Sequence, residues 1–422
     1  MKNALTILAV LCLAALSAAQ TPQAMTETPQ KFVYPEIERH AKDDRSGTAW
    51  YVRVADGPLL FTPQIFAPNV ALGTHGQAEA AIDNLQEHLA RQGAALASVV
   101  RLNVYVPDPA LADAVDEVIA RRFAAAPPAV TLVCTPLTKL HARVAFDAIA
   151  AVPIPPGPVM RDGVLISPGG NAAPGTTPTS PTSRVIVTRD SGAIMPAGGK
   201  VFVAGQSNPG PGLAGSVMAI MPNLFRALEA VGLTKADVVQ VKAFIKPFTD
   251  HAAAIAEVKT SFGETPMPPL ILIEWTTDTP SEIELVASAP ALSRPQNDAA
   301  AYPPLPGLSA SPVFSRMATV AAGSPLIFTS GFDGGSEGTA RAQWKRVFDE
   351  LGQVLFDSGS SFRHMVKATY FLHDDKAREM LGAIRGVYYD PSRPPSASAL
   401  DVTRMARPGR LVMLDMIAVP VK

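Results

Sequence analysis

Gly334-Gly335-Ser336-Glu337-Gly338 frames a serine in the pattern Gly-x-Ser-x-Gly. On a sharp turn from strand to helix, such a serine is an exposed nucleophile. A second pattern, Gly-x-Gly-x-x-Gly, runs from Gly210 to Gly215. Ahead of a helix it would offer amides to a phosphate, although Pro211 removes one of them. Seven histidines (His40, His75, His88, His141, His251, His364 and His373) are scattered without the paired spacing of a metal site. His75 stands in a loop before a predicted helix, and a surface role is expected of it. Cys134 falls in an apolar run, where a thiol is a small buried hydrophobe. Trp344 shares a helical face with Ala340 and Val347, which predicts packing.

The frame that must position these groups is repeated. Ile82–Val106 aligns without gaps on Met221–Ile245 and on Phe348–Leu372. Leu85, Leu224 and Leu351 share one column, and Leu89, Leu228 and Leu355 another four residues on, which is one face of a helix. Gly93, Gly232 and Gly359 follow as left-handed caps, and Val100, Val239 and Val366 open a strand. Upstream lie strand-like runs from Leu59, Val201 and Leu326. Downstream comes a second helix (Leu111, Val115, Val118 and Ile119 in the first copy). A proline-led strand then begins near Pro128, Pro269 and Pro395, and an alternating strand ends each copy. Each unit reads β-β-α-β-α-β-β, an α+β layer. The units span 31–152, 183–290 and 310–422. A Pro/Gly/Thr/Ser-rich linker fills 153–182 and a proline-rich one 291–309. Both glycine motifs then fall in the loop between early strand and first helix. The equivalent loops carry no such serine, and a unit this size is short for a serine hydrolase.

The 422 residues carry 36 basic against 37 acidic side chains, so no charge footprint marks a nucleic-acid or anionic-membrane partner. Forty prolines and thirty glycines exclude one long helical array, and two cysteines exclude a disulfide scaffold. Lys2, the apolar run Ala4 to Leu16 and Ser17-Ala18-Ala19 read as a secretory signal over 1–20. Leu11 before Cys12 argues against lipidation. The expectation is export to the periplasm or beyond, with no membrane attachment after cleavage.

The repeat resembles the Rid family (RidA-like, YjgF-like). The resemblance rests on Val201-Phe202-Val203-Ala204-Gly205-Gln206, Asn223-Leu224, the DVVQVKAFI run ending at Ile245, and Glu282-Ile283-Glu284-Leu285. It implies a chorismate-mutase-like fold that trimerises with clefts between neighbours. Three fused copies then imply a pseudo-trimer packed on itself. It also implies hydrolysis of enamines or imines to keto acids and ammonia without a cofactor. Deaminating members hold the substrate carboxylate with the arginine of a Pro-x-Arg; here those positions are Val130, Leu270 and Ala397. The family's early Tyr-Ser has its nearest match in Phe314-Ser315. The second acid of its final Glu-x-Glu falls on Asp147, Glu284 and Asp415, candidates for positioning water. Arg393, Arg404, Arg407 and Arg410 are possible substitute anchors. Two readings follow. In the first, the clefts bind a small neutral or apolar metabolite without arginine-dependent hydrolysis. In the second, the protein is a deaminase with a different anchor and Glu284 as base. No metal or cofactor is expected in either.

Overall fold

The computed structural model describes residues 33–43, 46–153, 159–161, 164–166, 185–188, 192–289, 292, 298–305 and 311–421. The expected signal segment 1–20 lies outside them. The order strand, helix, strand, helix, strand, strand occurs three times. It begins with Leu59–Phe61, Thr74–Ala90 and Val99–Val106, with Gly199–Ser207, Gly212–Glu229 and Val238–Ile245, and with Leu326–Thr329, Ala340–Asp357 and Met365–Leu372. It closes with Ala112–Arg122, Ala129–Cys134 and Ala145–Ala151, with His251–Phe262, Leu270–Glu274 and Ser281–Ala289, and with Asp375–Tyr388, Ser396–Asp401 and Val412–Ala418. The proline-led strand of each unit runs parallel to the strand after the first helix, and the final strand runs antiparallel to it.

The helical columns do what their spacing demands. Leu85, Leu89, Leu224, Leu228, Leu351 and Leu355 are buried under their helices. Together with the outward faces of the strands they make one helix-on-sheet core per unit. Gly93, Gly232 and Gly359 have φ of 73°, 76° and 73°, where a side chain would be strained.

A further strand leads each unit and is given away. Ala49–Val54 pairs with Leu326–Thr329 of the third unit. Ala193–Met195, from the middle unit, pairs with Leu59–Phe61 of the first. Met317–Val320, from the third, pairs with Gly199–Ser207 of the middle unit. The exchange closes a cycle, and it buries a core drawn from all three units that includes Val52, Phe61, Met195, Phe202, Val320 and Phe328.

The expected linkers are not wholly structureless. Val159–Arg161 and Val164–Ile166 pair as a short antiparallel hairpin, as β-formers around an Asp-Gly dipeptide favour. Ala300–Ala301 adds to the edge of Met317–Val320. Among the described residues no helix is long and apolar enough to cross a membrane, and no cluster of His, Cys, Asp and Glu could hold a metal.

Candidate functional site

The strand faces turned away from the helices meet at the centre of the molecule. There a layer of charge lies between the shared core and a second apolar cluster that contains Tyr105, Phe244, Trp275 and Phe371. Asp147, Glu284 and Asp415 all belong to this layer. Asp415 takes Arg101 at 2.5 Å, and Glu284 takes Lys367 at 2.5 Å. Asp147 accepts from Asn103 Nδ2 at 2.9 Å and Tyr105 OH at 2.6 Å. Burial raises its carboxyl, and the nearby Lys242 ammonium partly offsets that. Each acid thus answers a cation of the next unit around the cycle. The cavity that Glu284 and Asp415 line holds only about 30 Å³, room for a water but not for a metabolite. The three acids expected to serve clefts are therefore placed together in the interior.

Two larger cavities open where units meet. One, of about 550 Å³, lies between the middle and third units. Its walls include Gln206, Asn223 and Glu282 from the middle unit and Phe314, Arg316, Arg378, Arg385 and Ala397 from the third. Glu282 sits two residues before Glu284 on the same strand face, one pleat nearer the rim. Burial first, and then the Glu284 carboxylate beside it, push Glu282 up to about 7. The Gly205 backbone makes room for it: a Cβ there would fall 2.0 Å from Oε1 of Glu282.

The other cavity, of about 470 Å³, lies between the first and third units. Val130 lines it, with Leu132, Met405 and Met413 as its apolar floor. Met413 stands on Val412–Ala418 where Glu282 stands on Ser281–Ala289, and Gly331 faces it as Gly205 faces Glu282. Arg407 and Arg410 reach this cavity, but Arg407 is paired with Asp116 and Arg410 with Asp333 at 3.0 Å.

The expectation that the clefts lack a guanidinium is corrected. The proline-led strand does carry Val130 and Ala397 into the two cavities, yet arginines arrive there from helices and loops instead. Leu270 is half-buried and packs against the middle unit's core. Of the other candidate anchors, Arg393 is bound to Asp298 at 2.6 Å, and Arg404 is exposed. Phe314 does line the cavity that holds Ala397, and its neighbour Ser315 bridges to Ser396.

The remaining motifs are structural. Ser336 is exposed in a turn in which Arg346 binds the carbonyls of Gly334 and Glu337. Gly210 and Gly212 both have positive φ ahead of the helix beginning at Gly212. His75 pairs with Glu117 at 2.6 Å on the surface. Cys134 is buried, and desolvation lifts its thiol to about 11. Trp344 is buried and donates to the Ala377 carbonyl at 2.9 Å. Glu282, Arg316 and Arg385 were not singled out in the sequence. The Glu-x-Glu run is a signal for the first, but no spacing marks the other two.

Each unit is thus an α+β layer, a mixed sheet carrying two helices, with clefts walled by neighbouring units. Residues 67–152 and 310–420 match the family model described as endoribonuclease L-PSP. Both segments thus match the Rid/YjgF family, so that family's domain is repeated along the chain. It is 36% identical over 83 residues to the RutC family protein slr0709 of Synechocystis, covering 20% of this chain and 63% of that protein. Protein DfrA of Myxococcus xanthus is also 36% identical over 83 residues, covering 20% of this chain and 62% of that one. The alignment thus spans less than two thirds of either relative. Among solved structures, the YjgF-family member NMB1025 from Neisseria meningitidis is 26% identical over 24% of this chain and 85% of its own, with a TM-score of 0.23. Rv2704 from Mycobacterium tuberculosis, described as a YjgF/YER057c/UK114 family member, is 25% identical over 28% of this chain and 100% of its own, with a TM-score of 0.22.

Proposed function

We propose that the cavity between the middle and third units hydrolyses an enamine or imine that carries a carboxylate, releasing a keto acid and ammonia. One observation carries this reading: a carboxyl held near pH 7, Glu282, shares its cavity with the Arg316 guanidinium. A general base works best when its pKa lies close to the working pH. The ionised Glu282 takes a proton from water as the water oxygen bonds to the imine carbon. The proton then passes to the nitrogen of the resulting carbinolamine. Glu282 then takes the carbinolamine hydroxyl proton and hands it to the nitrogen as the C–N bond breaks, so that ammonia departs and the carbonyl forms. Arg316 serves as the anchor that Ala397 cannot supply, since a guanidinium binds a carboxylate through charge-assisted hydrogen bonds. The step uses no metal or cofactor.

The test is ammonia release from imines made in situ by an amino-acid oxidase. Glu282→Gln is expected to lower kcat by about 10²–10⁴-fold, the usual share of general-base catalysis. Wild-type activity surviving in that variant would remove Glu282 from the mechanism.

The cavity between the first and third units fits a different use. Met413 replaces the acid there, and both arginines are already paired, which supports binding of a neutral or apolar metabolite without turnover. We further propose that residues 31–152, 183–290 and 310–422 are three copies of one module in a pseudo-trimer. The cyclic exchange of leading strands supports this. Export after cleavage near Ala19 completes the proposal, and the N-terminal residue of the secreted protein tests it.

A further inference from the structure

Hydrolysis as proposed engages one guanidinium, yet three reach the cavity between the middle and third units. Arg378 is already committed. Its Nε donates to both oxygens of Asp401 at 2.9 and 3.0 Å, and its Nη2 to Oδ2 at 2.7 Å. Arg316 and Arg385 differ from it. Neither has a carboxylate within 4.0 Å among the described residues. Arg316 lies against the Phe314 ring at 4.8 Å, and Arg385 over the Tyr370 ring at 5.3 Å. The Nε of each is buried and has no hydrogen-bond partner among the described residues.

A buried donor left unmade is costly, more so on a charged group. Both residues line one cavity, where their guanidiniums can be matched by acceptors that a ligand brings. The two arginines come from different elements. Arg316 stands just ahead of Met317–Val320, and Arg385 is in Asp375–Tyr388, so they are separate anchors rather than one fork. With Arg378 neutralised by Asp401, the remaining lining charge is two guanidiniums against the Glu282 carboxyl. A ligand with one carboxylate can pair with only one of these two separate anchors, and the other guanidinium then keeps no carboxylate partner.

We propose that the substrate of this cavity is an imino dicarboxylate, with Arg316 on the carboxylate next to the imine carbon and Arg385 on the distal one. The proposal rests on the hydrolytic reading of the same cavity. The reaction is unchanged in balance: water in, ammonia out, and a keto dicarboxylate as product.

Calorimetric titration of the full chain with 2-oxoglutarate and with 2-oxobutyrate, stand-ins for products with two and with one carboxylate, tests the proposal without requiring turnover. The dianion is expected to bind at least about tenfold more tightly, as one added charge-assisted contact implies. Arg385→Gln is expected to bring the affinity ratio close to one, and Arg385→Lys to leave it between the two. Equal affinities in the wild type overturn the proposal, as does a preference that survives in Arg385→Gln; the wild-type ratio decides alone if the variants do not fold. Imine turnover is read separately, with D-aspartate oxidase on D-glutamate and D-amino-acid oxidase on D-2-aminobutyrate as imine sources. A dianion preference without turnover of either imine removes the hydrolytic reading and keeps the ligand class. Turnover without the preference does the reverse.

Discussion

Glu282 and Glu284 are two residues apart and do unlike work. Both face inward, but Glu284 is held by Lys367, while Glu282 stands at the rim with its carboxyl raised to about 7. Two consequences depend on pH. As base, Glu282 must be ionised, so kcat/KM for imine hydrolysis is expected to rise through about pH 7 and level off above it. Stability runs the other way. The folded chain binds this proton more tightly than the unfolded chain, whose carboxyl titrates near 4.5. The stability this contributes is complete below about 4.5 and is lost as pH rises to about 7. Urea unfolding of wild type and Glu282→Gln across that window checks the sign: the wild type should lose stability relative to the variant as pH increases. A parallel pair of pH curves would mean that Glu282 titrates normally.

Strands explain both what could be read in advance and what could not. The helix columns were legible because leucines four residues apart can bury only on a helix face, and the caps because Gly93, Gly232 and Gly359 close them. Alternation placed Asp147, Glu284 and Asp415 on one face of their strands, but period two gives a face and not a depth. Whether a residue ends at the centre or the rim depends on where the neighbouring unit stops. The leading strands were harder still, because Ala49–Val54 finds its partner at Leu326–Thr329, far along the chain. The register between Gly199–Ser207 and Ser281–Ala289 shifts between Val203 and Gln206, and Gly205 in that shift opens the space for Glu282. A Cβ at Gly205 would lie 2.5 Å from Cδ of Glu282, whereas one at Gly331 would lie 2.9 Å from the flexible Met413 side chain. Gly205→Ala is therefore expected to cut imine hydrolysis nearly as far as Glu282→Gln, while Gly331→Ala leaves it near wild type. Equal, mild effects of both would show that the carboxyl can retreat without losing its role.

At the scale of the molecule, the three units are tied by charge as well as by exchanged strands. Asp56, in the first unit, accepts from Lys200 Nζ at 2.7 Å and Gly198 N at 3.1 Å in the middle unit, and from Gly323 N at 2.7 Å in the third. Lys200 is 1% exposed, and burial lowers its pKa. Removing one partner of such a pair leaves the other charge stranded, at about 3–5 kcal/mol. Asp56→Ala is expected to lose that much stability in denaturant unfolding, and to lose it for the whole chain, because the three units meet on that carboxylate. Adding Lys200→Met to Asp56→Ala removes the stranded ammonium and should restore part of the loss. The Gly198 and Gly323 amides would still lack their acceptor, so recovery stays incomplete. A single shifted transition in Asp56→Ala would mean that the units fold as one body. Two separated transitions would mean that each unit stands on its own core, and that the shared interior only docks units already folded.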